Sequence, residues 1–302
     1  MATQKVWLVT GTSSGFGNEL VHTILKNGHK VVAAGRDTSR LTSLKEAGAA
    51  TTKIDQNEPL DVLRRQIEDA IAVYGHIDVI VLNAAYVVTG SLEERTHVFI
   101  LSCRLNGTPE ESLAQYHTNV FGILNLYRAI LPHFRGRKAG IVATVGSMGA
   151  SMTDPLIGLY HSSKAAVRNI SLTLDNEVKP FGIKTCLIEP GYFRTNLLSS
   201  GTSFQLPETK IGAYAEINEK TKAFLIQRDR KQSGDPKRGA QVIFDVLTSS
   251  GCARGREVPK TLALGSDAVK CIIGSNDEFN KRVEEWRSVS ESTDFPKEEQ
   301  YY

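Results

Sequence analysis

The hydrophobic pattern of the chain is a series of short apolar runs rich in Val and Ile. They are "KVWLVT" (5–10), "KVVAAG" (30–35), "ATTKID" (50–55), "IDVIVLNA" (77–84), "AGIVATVG" (139–146) and "IKTCLIEPG" (183–191). Most are separated by stretches of helical period, such as "GNELVHTILKNG" and "PLDVLRRQIEDAIAVYG". In the second, Leu60, Leu63, Ile67 and Ile71 fall on one face and the charges on the other. Apolar runs without alternation are buried on both faces, and helices between them imply a parallel sheet covered on both sides. No repeat or low-complexity linker interrupts the order. The pattern predicts one doubly wound α/β domain over residues 1–302.

Composition narrows the function more than the fold. Hydrophobic content of 41% and charged content of 23% in 302 residues suit a soluble globular chain with a sizeable core. The net charge is only +3, and the basic run from Lys222 to Arg238 is interrupted by Asp229 and Asp235. That run reads as a solvated face, so no nucleic-acid partner is expected. Cys103, Cys186, Cys252 and Cys271 lie far apart, with no C-x-x-C and no His at metal spacing. They read as free thiols of a reducing compartment, and no metal is expected. "KVWLVT" is too short to span a membrane, and no signal-peptide pattern precedes it. Asn106-Gly107-Thr108 is formally a glycosylation sequon, but nothing else suggests secretion. A cytosolic location is the expectation.

The first strand ends in "VTGTSSGFGNEL", with Gly11, Gly15 and Gly17 between strand and helix. In a Rossmann-type sheet this arrangement makes an anion site. Glycines permit the tight turn and the approach of a pyrophosphate, and the helix N-terminus offers unpaired N–H groups. Thr12, Ser13, Ser14 and Phe16 complete the loop. The second strand ends in "AAGRD": Gly35 stands where an acid would take a ribose hydroxyl, and Arg36 follows. An arginine there fits a 2′-phosphate, which points to NADP(H) over NAD(H), although Asp37 adjoins it.

Tyr160 and Lys164 share one helix face in "GLYHSSKAAV". An ammonium beside a phenol favours phenolate, so Tyr160 is expected to have a lowered pKa and to act as general acid or base. Ser147 lies upstream at the end of "IVATVGS". Asn119 lies in "HTNVFG", within a helix that starts after "TPEE" with Pro109 near its first turn. No role is assigned to any histidine; His161 is expected on another helix face.

With these residues in order, the chain closely resembles the short-chain dehydrogenase/reductase family from residue 5 to about 288. The run "GDPKRGAQVIFDV…REVPKTLALGSDAV" further resembles its microbial 17β-hydroxysteroid dehydrogenase-like and retinol dehydrogenase-like branch. The resemblance implies that Asn119, Ser147, Tyr160 and Lys164 are the catalytic set. Asp55 would contact adenine, Asn83 would serve the adenine-side loop, and Pro190, Gly191 and Thr195 would flank the nicotinamide. Ser147 and Tyr160 would bind the substrate oxygen, Lys164 the ribose, and Asn119 a water linking Lys164 to solvent. Homodimers or homotetramers, paired through the helices carrying Asn119 and Tyr160, are implied as well.

Two departures stand out. "LNAAY" carries Leu82 for an Asn and Ala85 for a Gly of the family pattern, and Ala85 adds a methyl group beside the cofactor. About a dozen extra residues, 95–107, separate segments that would otherwise join cleanly; a loop near the site and a gene-model remnant are both open readings. After Thr195 a lid over about 196–234 carries Leu197, Leu198, Phe204, Leu206, Tyr214 and Phe224, and Asp235-Pro236 reads as the cap of the following helix. The tail over about 289–302 is expected to fray. The sequence thus predicts an NADP(H)-dependent oxidoreductase interconverting an alcohol and a carbonyl on a medium-sized, mostly hydrophobic molecule. The alternatives are a dinucleotide-binding sensor or scaffold with little turnover, and a non-redox reaction on the same scaffold.

Overall fold

The computed structural model describes residues 4–93, 110–196, 204–205 and 211–296. Seven strands form one parallel sheet: β1 (Val6–Thr10), β2 (Lys30–Gly35), β3 (Ala50–Lys53), β4 (Val79–Leu82), β6 (Gly140–Val145), β7 (Ile183–Pro190) and β9 (Thr261–Leu264). Their order is β3-β2-β1-β4-β6-β7-β9. A separate pair, β5 (Val87–Val88) and β8 (Phe204–Gln205), joins the chain after β4 to the lid.

Alternation along β1 shows why its apolar run is continuous. Trp7 and Val9 point into one core with Leu20 and Ile24 of α1 (Gly15–Lys26) and Ile243 and Phe244 of α8 (Pro236–Thr248). Leu8 points into the other core, with Leu63 and Ile67 of α3 (Leu60–Ala72) and Leu126 and Phe134 of α5 (Gly122–Arg137). Val167 and Leu174 of α6 (Gly158–Val178) close that second layer. Both faces of the strand are therefore dry, and a polar residue on either would be left without water or partner.

Strand ends differ from expectation where polar residues bend the chain. β3 stops at Lys53, because Asp55 turns the backbone with its carboxylate accepting from the Asn57 N–H at 3.1 Å. β4 is four residues rather than eight, since Asn83 leaves the ladder to bond the glycine loop. The edge strand β9 was not anticipated: its apolar run is only Leu262–Leu264, and it is buried only at Leu264. The helix bearing Asn119 is broken into α4 (Glu110–Tyr116), a π turn (His117–Phe121) and α5. Pro109, the 95–107 segment, and Leu197, Leu198 and Leu206 of the lid lie outside the described residues.

The lid leaves the sheet after β7 and is closed at its neck. Gly234 N–H donates to Tyr192 O at 3.1 Å, Arg194 N–H to Gly234 O at 2.9 Å, and the Arg194 guanidinium to Gln232 O. Within it runs α7 (Ala215–Arg228). Asp235 caps α8 as expected, accepting from the Lys237 and Arg238 N–H groups, with Pro236 as the first helical residue. At the C-terminal end α9 (Ser266–Glu285) and α10 (Arg287–Glu291) carry helix three residues into the segment expected to fray. No helix among the described residues is long and apolar enough to cross a membrane.

Candidate active site

The three loop glycines do different work. A Cβ at Gly17 would stand 2.4 Å from Gly11 O and 2.7 Å from Asn83 Nδ2, and one at Gly11 would stand 2.8 Å from Ala84 Cα. Those two are demanded by the close approach of β1, α1 and the β4 end. Gly15, at φ +61°, has only Thr195 near its missing Cβ, at 3.7 Å, and faces the cavity. Asn83 holds the turn by donating to Thr10 O and Gly11 O at 3.1 and 3.0 Å. Thr12 donates to Ala34 O at 3.1 Å. Gly17→Ala is expected to cost ~1–3 kcal/mol by overpacking against backbone and to abolish dinucleotide binding, both readable by thermal unfolding with and without nucleotide.

Several expected ligand residues therefore build the site instead of lining it. Thr12 and Asn119 are fully buried, Gly17 is buried, and none of the three borders the cavity. Gly11, Ser13, Ser14, Gly15, Phe16, Arg36, Asp55, Asn83, Ser147, Tyr160, Lys164, Pro190, Gly191 and Thr195 all border it. It measures about 640 Å³ and runs along the C-terminal ends of the strands, across the crevice between β1 and β4 where the strand order reverses.

Asn119 has a role that spacing alone did not reveal. Its side chain accepts from Tyr86 N–H at 3.2 Å and donates to Tyr86 O at 3.0 Å and Ser163 Oγ at 3.2 Å. Gln115, fully buried, accepts from Val88 N–H at 2.8 Å and donates to Tyr86 O at 2.7 Å. Two side-chain amides thus bond the backbone of residues 86–88 in addition to the pairing of β5 with β8. The Asn119 side-chain amide is committed to this task. Gln56 anchors the preceding turn, donating to Ala84 O at 3.1 Å and Thr118 O at 2.8 Å. Ala85 and Tyr86 border the cavity; burial pushes the Tyr86 phenol up to about 12.

At the end of β2, Asp37 does not compete for Arg36. Its carboxylate accepts from Ser39 N–H at 3.0 Å and from Ser39 Oγ–H at 2.7 Å, bonds that hold its pKa below the usual carboxylate range. Arg36 is exposed at the cavity rim next to Gly35.

Ser147, Tyr160 and Lys164 converge where β6 meets α6. Lys164 is 2% exposed and its ammonium donates to Val145 O at 2.8 Å, lying 5.9 Å from the Tyr160 ring centroid. Burial lowers its pKa to about 8. The Tyr160 hydroxyl is bonded to Ser147, yet burial pushes its pKa up, opposite to the expected depression. The physical reason is that enclosure by protein disfavours the phenolate and outweighs the hydrogen bond to Ser147. In this state Tyr160 is a protonated acid at neutral pH.

His161, on another face of α6 than Tyr160, also reaches the cavity. It is 7% exposed, borders the cavity, and packs on Gly149, where a Cβ would meet its Cδ2 at 2.8 Å. Burial lowers its pKa, so it is neutral at pH 7. Behind the site Arg168 Nη2 pairs with buried Glu189 at 2.7 Å and also donates to Ser151 Oγ at 2.7 Å, tying α6 to β7 and to the turn after Ser147. In the lid, Phe224 faces outward at 44% exposure, and its neighbour Leu225 lines the cavity against Val87, Ile157 and Tyr160.

The cavity fits a dinucleotide on its own terms. Ser14 makes no side-chain cap on α1 and no acid occupies the first turn, so the helix N-terminus keeps its N–H groups and partial positive charge for an anion beside the open Gly15. Fold and site define a Rossmann-fold oxidoreductase. The profile described as short chain dehydrogenase matches residues 5–205, and the chain belongs to that family. It is 30% identical over 303 residues to Oxidoreductase BOA17 of Botryotinia fuckeliana, covering 95% of this chain and 98% of that one. It is 35% identical over 191 residues to the 3-ketodihydrosphingosine reductase of Bacteroides thetaiotaomicron, covering 63% and 65%. A short-chain dehydrogenase structure from Streptomyces avermitilis superposes with TM-score 0.81 at 34% identity, covering 97% of this chain and 100% of that one.

Proposed function

We propose that the protein is an NADP(H)-dependent oxidoreductase that interconverts an alcohol and a ketone or aldehyde on a medium-sized, mostly hydrophobic molecule. The observation that carries this reading is the convergence of Ser147, Tyr160 and Lys164 on the cavity that also contains the glycine loop. A bound nicotinamide dinucleotide supplies hydride. The α1 N-terminus and Gly15 hold its diphosphate, Arg36 its 2′-phosphate, and Asp55 with Asn83 the adenine side. Pro190, Gly191 and Thr195 flank the nicotinamide end, and Lys164 serves the ribose. Ser147 donates a hydrogen bond to the substrate oxygen, and Tyr160, protonated at neutral pH, passes its proton to the same atom. The apolar wall from Val87, Ile157 and Leu225 suits a hydrophobic substrate body. The name of the Bacteroides relative, a keto reductase, accords with a carbonyl substrate.

Arg36→Ala tests the cofactor. Loss of a charge-assisted contact to phosphate is expected to weaken NADPH by roughly 10- to 100-fold and NADH by no more than about twofold. Nicotinamide fluorescence titration reads both; equal weakening removes Arg36 from the 2′-phosphate site. Homo-oligomers paired through α5 and α6 are part of the same proposal, and sedimentation of the purified chain tests them. Ala85, whose methyl group borders the cavity, supports a second reading as a dinucleotide-binding protein with little turnover. In that reading tight NADPH binding is found without carbonyl reduction.

A further inference from the structure

His161 borders the catalytic cavity, yet the chemistry proposed for Ser147, Tyr160 and Lys164 gives it no task. It is 7% exposed, makes no side-chain hydrogen bond to the described residues, and its Nδ1 is sealed in protein without a partner. A histidine that merely packs in a core has its nitrogens bonded to protein, because a buried polar group left unbonded is costly. An unbonded imidazole in a cavity wall is left to find its partner in the cavity.

The sealed nitrogen decides the tautomer. Burial outweighs the pull of Asp154 and keeps the ring neutral at pH 7, so one nitrogen carries the proton and the other a lone pair. A proton on Nδ1 would bury an N–H with no acceptor, the rarer and costlier of the two orphans. The proton therefore sits on Nε2, and the ring presents a donor.

Gly149 fixes where that donor lies. A Cβ there would meet His161 Cδ2 at 2.8 Å, Ser147 Oγ at 3.1 Å and His161 Nε2 at 3.3 Å. Only a residue without a Cβ lets the imidazole edge come this close. Ser147 Oγ and His161 Nε2 share one neighbouring point, so they stand at most about two hydrogen-bond lengths apart. Ser147 Oγ accepts from Gly149 N–H at 3.0 Å and is bonded to Tyr160, and no hydrogen bond joins it to His161. The Nε2–H is thus a free donor within one small group's reach of the oxygen-binding pair.

We propose that His161 is a specificity-determining residue whose Nε2–H donates to a second oxygen of the substrate, one or two carbons from the reacting carbonyl. The favoured class is then β-oxo esters and 1,2- or 1,3-diketones, over plain ketones of the same length. The proposal rests on the reading of Ser147 and Tyr160 as partners of the reacting oxygen.

The test compares reduction of methyl 3-oxodecanoate with that of dodecan-5-one, a pair alike in length, at saturating NADPH. In His161→Phe the ratio of kcat/KM for ester over ketone is expected to fall roughly 3- to 10-fold, the worth of one neutral hydrogen bond, mainly through KM for the ester. His161→Gln, whose side-chain N–H can stand in for Nε2–H, is expected to keep the ratio within about twofold of the wild type. Intrinsic reactivity of the two compounds is the same for every variant and cancels. A ratio unchanged in His161→Phe, or lost equally in both variants, overturns the proposal. The unmodified protein gives a reading that needs neither variant to fold. In its NADP+ complex, which holds no hydride, nitrogen NMR is expected to show His161 protonated at Nε2, with that nitrogen shifted by the ester and not by the ketone. A proton on Nδ1, or equal shifts from both compounds, overturns the proposal as well. Protein that binds NADPH but reduces neither compound refutes the oxidoreductase reading, and the NMR titration then decides the His161 contact by itself.

Discussion

Tyr160→Phe is expected to cut carbonyl reduction by roughly two to four orders of magnitude while leaving NADPH affinity within about twofold. The substitution removes one oxygen and keeps the ring. That hydroxyl is bonded to Ser147, and burial holds it protonated at neutral pH, the state a proton donor to a carbonyl needs. The ring's packing against Val87, Ile157 and Leu225 does not involve the oxygen, so the fold should persist. Stopped-flow oxidation of NADPH with a ketone panel measures the rate, and fluorescence titration measures binding. Turnover near the wild-type level would remove Tyr160 as the proton donor. Loss of binding together with rate would mean that the hydroxyl shapes the cofactor site.

Lys164→Met is expected to abolish turnover while leaving the cofactor-free protein no less stable at pH 7. The ammonium is buried and its pKa falls from 10.5 to about 8. Between those two values the unfolded chain binds more protons than the folded one, so stability rises with pH across that window. Below about pH 8 the full burial penalty is present, on the order of a few kcal/mol. Methionine keeps an apolar stem and removes the charge. It also strands Val145 O, which now accepts from the ammonium at 2.8 Å, and that loss is worth ~1–3 kcal/mol in the other direction. The two terms nearly offset at pH 7. As pH rises toward 10 the wild type gains stability and the variant does not, so the wild type should become the more stable of the two. Denaturant titrations at neutral and high pH, run beside turnover assays, test both halves. A variant several kcal/mol less stable at pH 7 would make Lys164 a structural residue first, and retained turnover would exclude it from the chemistry.

An unsupported buried cation is what a site kept for chemistry looks like. Hydrophobic replacement of a buried charge commonly stabilises, and Lys164 has one backbone carbonyl where a structural ammonium would have a carboxylate. Arg168 makes the contrast: eight residues after Tyr160 on α6, it is paired with Glu189 and bonded to Ser151, as a structural cation should be.

What the sequence determined by itself was whatever depends on period and on local backbone freedom. Unalternating apolar runs dictated a sheet dry on both faces. The strand–glycine–helix order dictated an anion site, and the four-residue step from Tyr160 to Lys164 placed both on one side of α6. Asp235-Pro236 dictated where α8 begins. The tertiary structure alone decided which polar groups meet, because their partners lie far along the chain. Asn119 bonds Tyr86, 33 residues away, so a residue expected at the chemistry also braces the loop beside it. His161 was expected on another face of α6 than Tyr160, and only the fold shows that this face packs on Gly149 and borders the cavity as well. The edge strand β9 left too short an apolar run, Leu262–Leu264, to be told from a loop by period alone. The Tyr160 pKa follows neither from spacing nor from residue type. It is set by how much protein surrounds the hydroxyl and by the hydrogen bond from Ser147, and only the packed fold fixes either.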